Sequence, residues 1–262
     1  MLSFASLALH LMTDFPGVDT PPLPDEDAIG VETLRRMASV RHYNQWIYEE
    51  LAPFAGQRLL EVGCGIGNMT GYFLDRELLV GIDRLPASVE YTRQRFKDHA
   101  NVEIFQGDIV DPDILPRLKP YRFDTAICIN VLEHIREDGR ALRHIWQTLK
   151  PDGRLLLLVP AGKYMYGTLD QALGHFRRYE RAELGERVRE AGFHLIQLRY
   201  MNLAGIPGWY LNSRILKRHL LPQSQLRWFD RLAPFFIRTE RFLRRGWDIP
   251  AGQSLICIAE KT

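Results

Sequence analysis

The sequence predicts an α/β domain built on a mainly parallel sheet with helices on both faces. Between residues 57 and 161, short apolar runs typical of strands alternate with segments of helical period, which is the pattern of strand–helix–strand units. A glycine-rich turn follows the first strand, and polar residues end the next three. With 262 residues, 46% of them hydrophobic and 25% charged, the chain has the size and composition of one such core plus an appendage.

The elements can be assigned in order along the chain. Apolar residues at helical spacing predict one amphipathic helix over 32–51. Five strands follow, at 58–63, 78–82, 102–106, 123–129 and 153–160. Helices are predicted between them near 66–76, 86–99, 112–118 and 135–149. A helix at 180–191 and strands at 193–201 and 254–260 complete the core.

This assignment divides the chain into four segments. They are an N-terminal tail at 1–27, a helical segment at 28–56, a core at 57–204 and 253–262, and an insertion at 205–252. About fifty residues between the last two strands are too many for a hairpin. We therefore expect the insertion to form two or three amphipathic helices that act as a lid.

The composition excludes several other classes of protein. No stretch reaches the roughly 18 to 20 unbroken apolar residues of a membrane-spanning helix, and the apolar run at 1–12 lacks the basic region and cleavage site of a signal peptide. Cys64, Cys128 and Cys257 are odd in number and far apart, so they predict neither a disulfide framework nor a metal site. A reducing cytoplasm fits this cysteine usage best.

The strongest chemical signal is the turn EVGCGIG at 61–67, between the first strand and the segment that follows it. Its glycines allow a tight turn and a close approach to a ligand. Asp83 ends the second strand, twenty residues after Gly63, where a carboxylate can accept hydrogen bonds from both hydroxyls of a ribose. Asp108 and Asn130 end the third and fourth strands. The pattern predicts a nucleotide-containing cofactor at this edge of the sheet.

The spacing of the glycines narrows the choice of cofactor. A dinucleotide fold carries GxGxxG, but Asn68 occupies the third glycine position counted from Gly63, which leaves GxGxG after an acidic residue. Between residues 57 and 160, the motifs LLEVGCGIG, GID, GDI, FDTAICINVLEHI and LKPDGRLLLLVP follow in register. In order and spacing they resemble the successive motifs of class I S-adenosylmethionine-dependent methyltransferases.

The resemblance implies a Rossmann-like, doubly wound sheet of seven strands in the order 3-2-1-4-5-7-6, with the terminal strand antiparallel, and S-adenosylmethionine as the cofactor. It also implies cofactor-binding roles. The methionine and ribose part would lie against Glu61, Gly63, Gly65 and Gly67. Asp83 would hold the ribose diol, Asp108 and the Ile109 backbone would meet the adenine, and Asn130 would face the sulfonium.

In this family the segment after the fifth strand, here 162–184, forms the acceptor side of the pocket. His175 is its only histidine and the first candidate for a general base, with His134 of LEHI as the second. Each has a structural alternative, since His134 can cap or pack against the next helix. The expected substrate-pocket residues are Tyr164, Tyr166, Arg178 and Trp209, although Arg178 can instead pair with Glu183 or Glu186 at a helix start.

The insertion at 205–252 interleaves basic and aromatic residues. It lies in the basic half of the chain, since residues 131–262 carry 22 Lys and Arg against 13 Asp and Glu, whereas residues 1–130 carry 12 against 19. Three readings are open: a lid with its aromatics packed inward, a surface for a membrane or lipophilic acceptor, and a nucleic-acid surface. A net charge of only +2 and the absence of an NPPY-type motif disfavour nucleic acid.

The residues and the resemblance together predict a cytoplasmic methyltransferase that acts by direct displacement on a small or lipid-like acceptor. Peripheral contact with the inner face of the membrane through 205–252 is part of this expectation. Two alternatives stay open, an RNA methyltransferase that binds through the insertion and a cofactor-binding subunit without turnover.

Overall fold

A computed structural model describes residues 28–262, so the predicted tail at 1–27 lies outside the described residues. Two helices, α1 (Ala28–Ala38) and α2 (Arg41–Leu51), come first. They are followed by β1 (Arg58–Val62), β2 (Leu78–Asp83), α3 (Pro86–Arg95), β3 (Val102–Gln106), α4 (Ile114–Leu118), β4 (Phe123–Ile129), α5 (Asp138–Thr148) and β5 (Leu149–Pro160). The last elements are α6 (Thr168–Ala172), α7 (Arg181–Glu190), β6 (Phe193–Met201), α8 (Gly205–Tyr210), α9 (Gln223–Leu243) and β7 (Ser254–Lys261).

The seven strands form one sheet in the order 3-2-1-4-5-7-6, which confirms the predicted fold class. Strands β1 to β5 are parallel, and β7 runs antiparallel to both of its neighbours, β5 and β6. The register pairs Val62 with Ile82 and with Cys128, and Asp83 with Gln106. The carboxyl ends of β1 to β4 therefore meet at one edge of the sheet, as they must for a shared site.

Both faces of the sheet are buried, as the continuous apolar run of β5 predicts. Successive residues of a strand point to opposite faces. Leu155 and Leu157 accordingly join a core with α4, α5 and α7, while Leu156 and Leu158 join a second core with α2 and α9.

Two of the predicted helices differ in the structure. The segment 66–76 forms turns with a short 3₁₀ stretch at Thr70–Tyr72 instead of an α-helix, because Gly65 (φ +52°) and Gly67 (φ +78°) have left-handed backbone conformations. The predicted helix at 32–51 divides into α1 and α2. There the Ser39 hydroxyl donates to the Arg36 carbonyl and the Asn44 side-chain amide donates to the Met37 carbonyl, so side chains satisfy the last carbonyls of α1.

The insertion comprises α8, a π-helical turn at Leu211–Ile215 and the long helix α9. The region of α8 lies beside the loop after β5, where Trp209 meets Asp170. Helix α9 instead packs on α2 and the second face of the sheet, and Asp230 of α9 accepts the backbone N–H groups of His42 and Tyr43. None of the helices in the described part of the chain is long and apolar enough to cross a membrane.

Candidate active site

The glycine turn is tied to the end of β2 by backbone and side-chain hydrogen bonds. The N–H groups of Gly63 and Cys64 both donate to the Ile82 carbonyl, over 2.8 and 3.1 Å. The Gly65 N–H donates to Asp83 Oδ2 over 2.8 Å, and the Thr92 hydroxyl donates to the Gly65 carbonyl over 2.6 Å. The turn is thus held open and rigid beside the carboxylate predicted to hold a ribose.

Helix α1 supports the same turn from the other side. The Asn68 side-chain amide donates to the Leu34 carbonyl over 2.9 Å. The Leu34 side chain lies so close to Gly65 that an added Cβ there would come within 3.0 Å of it. A side chain at this position would therefore need both a strained backbone and a displaced leucine.

Asp83 and Glu61 are the two carboxyl groups of this region. Asp83 accepts from Gly65 through Oδ2 and from the Leu85 N–H through Oδ1 over 3.0 Å, while burial raises its pKa. Each oxygen keeps a second lone pair for a ligand hydroxyl. Glu61 Oε2 accepts from the Thr70 hydroxyl over 2.6 Å, and burial raises the pKa of Glu61 to about 7.

A cleft of about 610 Å³ opens at the ends of β2 and β3, lined by Arg84, Leu85, Gln106, Gly107, Asp108, Asp111, Asp113, Ile114 and Arg117. This volume lies in the range of about 300 to 1,000 Å³ that organic ligands occupy. Ile109 is buried beneath it, and its carbonyl accepts from His144 Nδ1 over 2.7 Å. The acidic groups, the open glycine turn and the size of the cleft fit the ribose and adenine of S-adenosylmethionine.

Asn130 lies at the carboxyl end of β4, beside this edge. Its backbone is left-handed (φ +52°), and its N–H donates to the Leu158 carbonyl over 2.8 Å. The left-handed residue turns the chain from the strand into the 3₁₀ stretch Leu132–His134. The expected cofactor-binding residues therefore follow one another along the ends of β1 to β4.

On the acceptor side, His175 is buried within a network centred on Asp170. The His175 Nδ1–H donates to Asp170 Oδ1 over 2.9 Å, and Arg178 Nε donates to the same oxygen over 2.7 Å. Trp209 Nε1 donates to Asp170 Oδ2 over 3.3 Å and its ring stacks on the Arg178 guanidinium. Burial alone would raise the pKa of Asp170, but these His175 and Arg178 contacts lower it, so the carboxylate stays charged.

Glu133 faces the other side of the His175 ring. Its Oε1 lies 4.0 Å from His175 Nε2. Both carboxyl oxygens are buried and have no hydrogen-bond partner among residues 28–262, and burial raises the pKa of Glu133 to about 7. Sequence reasoning assigned no role to Glu133 or Asp170. The only available signal was their proximity in sequence to His134 and His175.

His134 packs edge-on against His175, with ring centroids 4.6 Å apart. Burial is the main reason that the pKa of His134 is lowered to about 3. A base of such low pKa accepts a proton poorly at neutral pH. Of the two histidines, the geometry therefore favours His175 as the proton acceptor.

The predicted pocket residues divide into two groups. Tyr166, Arg178 and Trp209 support the network: the Tyr166 hydroxyl donates to the His175 carbonyl over 2.8 Å, and Arg178 is fully enclosed. Arg178 pairs with Asp170 rather than with Glu183 or Glu186. Tyr164, at 54% exposure, is the member of the set that presents its ring to solvent.

The same cluster has the spacing of a cation site. Glu133, His134 and His175 each offer a ligand atom, and these atoms lie within 4.8 Å of one another. The sequence predicted no metal ion here. The carboxylates of Glu133 and Asp170 on the two sides of the His175 ring would equally well support a proton acceptor. Removal of metal ions with a chelator distinguishes a metal site from a proton acceptor.

Glu133 gives the site a pH-dependent stability. Below about pH 4.5 its carboxyl is protonated in the folded and unfolded chains alike; as the pH rises toward 7, the unfolded chain loses the proton first, so the free energy of unfolding falls. Glu133→Gln is expected to remove this decline and to be more stable than the parent at pH 8 by roughly 3 kcal/mol. Urea unfolding at pH 5 and pH 8 measures the difference, with Glu186→Gln, an exposed site on α7, as the control. An equal change at both pH values would contradict the assignment.

Comparison with known proteins agrees with the geometry. The family model described as Methyltransferase domain matches residues 35–198. A ubiquinone biosynthesis O-methyltransferase from Pseudomonas putida is 28% identical over 166 residues, which cover 57% of this chain and 69% of the relative. A solved putative methyltransferase from Bacillus halodurans superposes with a TM-score of 0.56 at 18% identity, covering 81% of this chain and 97% of its own. The methyltransferase CalH, solved with SAH, gives a TM-score of 0.51 at 19% identity, covering 79% and 52%.

Proposed function

The chain belongs to the methyltransferase domain family of S-adenosylmethionine-dependent enzymes, and on that premise we propose that it methylates a small, lipophilic acceptor with His175 as the base. When bound, S-adenosylmethionine supplies a methyl group on a positively charged sulfur, open to direct displacement. Glu61, the glycine turn, Asp83 and the cleft at Asp108 would hold this cofactor. The proposal is carried chiefly by one observation, the buried Asp170–His175–Glu133 array beside the cofactor edge.

The hydrogen bond to Asp170 sets the tautomer of His175. Because Nδ1–H donates to the carboxylate, the lone pair of the neutral ring is on Nε2. That nitrogen can accept the proton of an acceptor hydroxyl or amine as its heavy atom attacks the methyl carbon. Asp170 and Glu133 then flank the resulting imidazolium and stabilise its charge. The remaining work of the protein is alignment of the nucleophile with the departing sulfur.

Two observations support a lipophilic acceptor. Tyr166 and Trp209 are bonded to the His175 network and Tyr164 is exposed in the same loop, and aromatic side chains favour apolar ligands. The names of the curated relatives refer to ubiquinone biosynthesis, which favours a small molecule over RNA. The proposal places the enzyme in the cytoplasm at the inner membrane face, and the buried free thiols of its three cysteines fit a reducing compartment.

A methyl-transfer screen tests the acceptor class. Small molecules that co-purify with the protein are identified by mass spectrometry and then incubated with it and S-adenosylmethionine labelled on the methyl group. We expect the label in a species that partitions into organic solvent. Label recovered in structured RNA, or no transfer to any acceptor despite cofactor binding, would contradict the proposal.

Trp209→Ala is expected to lower kcat/KM for the acceptor by about tenfold or more, because it removes both the indole bond to Asp170 and the ring stacked on Arg178. Cofactor affinity should stay nearly unchanged. Tyr210→Ala is the matched control, since Tyr210 is an aromatic residue of the same helix, α8, but is 40% exposed. Equal effects of the two substitutions would remove Trp209 from the acceptor site.

A further inference from the structure

Helix α9 has two opposite apolar faces, of which the described residues, 28–262, cover only one. Leu226, Ala233 and Ile237 pack into the second core. On the opposite side, Trp228, Phe235 and Phe242 are 62%, 68% and 71% exposed. These three residues are spaced by seven, nearly two turns of helix, so they form one stripe along the outer surface. We call this stripe the outer face of α9.

Further apolar side chains extend the outer face. Leu232 and Leu243 are exposed next to it, and Trp247 follows the helix at 79% exposure. Soluble monomers rarely expose a contiguous apolar patch of this kind without a function for it. The aromatics of α9 therefore do not all pack inward, as a lid that closes over the pocket would require.

Along α9 itself, the exposed charges beside the outer face are all positive. Arg227, Arg231 and Arg238 are exposed and lie along one flank of the stripe. Both acidic residues of α9 face inward: Asp230 binds the backbone of α2, and Glu240 accepts the N–H groups of Asn202 and Leu203. An apolar stripe with a purely cationic flank is complementary to an anionic surface that also has an apolar interior.

We propose that the outer face of α9 docks on an anionic lipid bilayer. Trp228, Phe235 and Phe242 would enter the boundary between headgroups and acyl chains, where aromatic rings are favoured, and the three arginines would meet lipid phosphates. A second copy of this chain fits less well, because the acidic residues of its own α9 face inward and offer the arginines no partner. This inference rests on the proposed function only for its purpose, which is access to a lipophilic acceptor.

The same segment of chain leads from the outer face to the acceptor loop. The carbonyls of Ser213 and Arg218, between α8 and α9, both accept from the Thr168 hydroxyl at the start of α6. Arg214 donates to the Tyr166 carbonyl. The stretch between the docking helix and the His175 network is therefore bonded directly to the acceptor side of the site.

Flotation of the full chain with vesicles tests the proposal. We expect binding to phosphatidylcholine vesicles that contain phosphatidylglycerol, little binding to phosphatidylcholine alone, and release as salt rises. The combined variant Trp228→Ser, Phe235→Ser and Phe242→Ser should lose binding at every salt concentration. The combined variant Arg227→Gln, Arg231→Gln and Arg238→Gln should partition about a hundredfold less.

The control for charge replaces Lys97, Lys119 and Arg143, which are exposed basic residues outside the insertion, by glutamine. This variant should bind vesicles like the parent, and every variant should keep its circular dichroism spectrum and cofactor affinity. Absence of vesicle binding by the parent, or unchanged binding by the serine variant, overturns the proposal. Two further outcomes overturn the proposal in favour of another partner. One is a dimer of the parent that the serine variant does not form, with no vesicle binding by the parent. The other is salt-sensitive RNA binding by the parent that the arginine variant loses.

The flotation assay contains neither cofactor nor acceptor, so it is independent of methyl transfer. Failure of flotation with intact methylation of a small lipophilic acceptor supplied in solution would remove the docking face and leave the proposed function in place. Vesicle binding without methylation of any lipophilic acceptor would leave the docking face in place and remove the proposed function.

Discussion

His175→Ala is expected to lower turnover by about 10²- to 10⁴-fold, the usual contribution of a positioned base, while leaving S-adenosylmethionine affinity nearly intact. The reason is the position of the ring on the acceptor side, with Nδ1 bonded to Asp170 and Nε2 turned toward Glu133. The parent enzyme is expected to lose activity at acid pH as its base takes up a proton, and the variant should lack this acid limb. Steady-state kinetics across pH, together with calorimetry for the cofactor, measures both.

The buried position of His175 calls for a variant that preserves the fold. His175→Asn keeps an N–H group that can donate to Asp170 but has no titratable nitrogen. It should therefore lose turnover like the alanine variant and have the same free energy of unfolding as the parent. His194→Ala, at an exposed site on β6, controls for the loss of a histidine. Full activity in His175→Asn would make the residue structural. Turnover should also survive dialysis against a chelator, and a loss restored by a divalent cation would assign the cluster to metal binding.

Asp83→Ala is expected to weaken S-adenosylmethionine binding about ten- to a hundredfold, because it removes charge-assisted hydrogen bonds to the ribose. The structure adds a second reason, since Asp83 also holds the Gly65 and Leu85 N–H groups and thereby fixes the glycine turn. Titration calorimetry measures the affinity. Asp98→Ala, which removes an exposed carboxylate outside the cleft, should change it little.

Two results would contradict this assignment of Asp83. One is unchanged cofactor affinity in Asp83→Ala with an intact fold. The other is tighter binding of a nicotinamide cofactor than of S-adenosylmethionine by the parent protein, since the glycine spacing was the ground for preferring the methyl donor.

The sheet could be predicted from the sequence because its strands carry a strong local signal. The run Leu155 to Leu158 is buried on both faces, and such a run needs no tertiary information to be read as a central strand. The prediction of a helix at 66–76 is wrong. The apolar residues of this segment have helical spacing, but the left-handed conformations of Gly65 and Gly67 depend on the hydrogen bonds of the turn.

More of the cofactor side than of the acceptor side could be predicted from the sequence, for a related reason. The groups at the ends of β1 to β4 fall at fixed positions relative to strands, so a linear motif reports them. The His175 network joins Glu133, from the turn after β4, to Asp170 and Arg178, from the segment after β5, and no spacing in the sequence predicts such a contact. The outer face of α9 could have been predicted from the sequence, because Trp228, Phe235 and Phe242 are spaced seven residues apart.

The smallest stable unit begins earlier in the chain than the cofactor motifs, because it includes the N-terminal helices α1 and α2. Tyr43, Trp46, Ile47 and Leu51 cover the sheet together with α9, and Arg36 of α1 donates to the Leu221 carbonyl just before α9. A shortened chain that starts at the first motif strand would uncover the leucines of β5 and release the glycine turn from Leu34. For recombinant production or domain fusion, the helices from residue 28 onward therefore belong to the catalytic unit, although the cofactor motifs begin some thirty residues later.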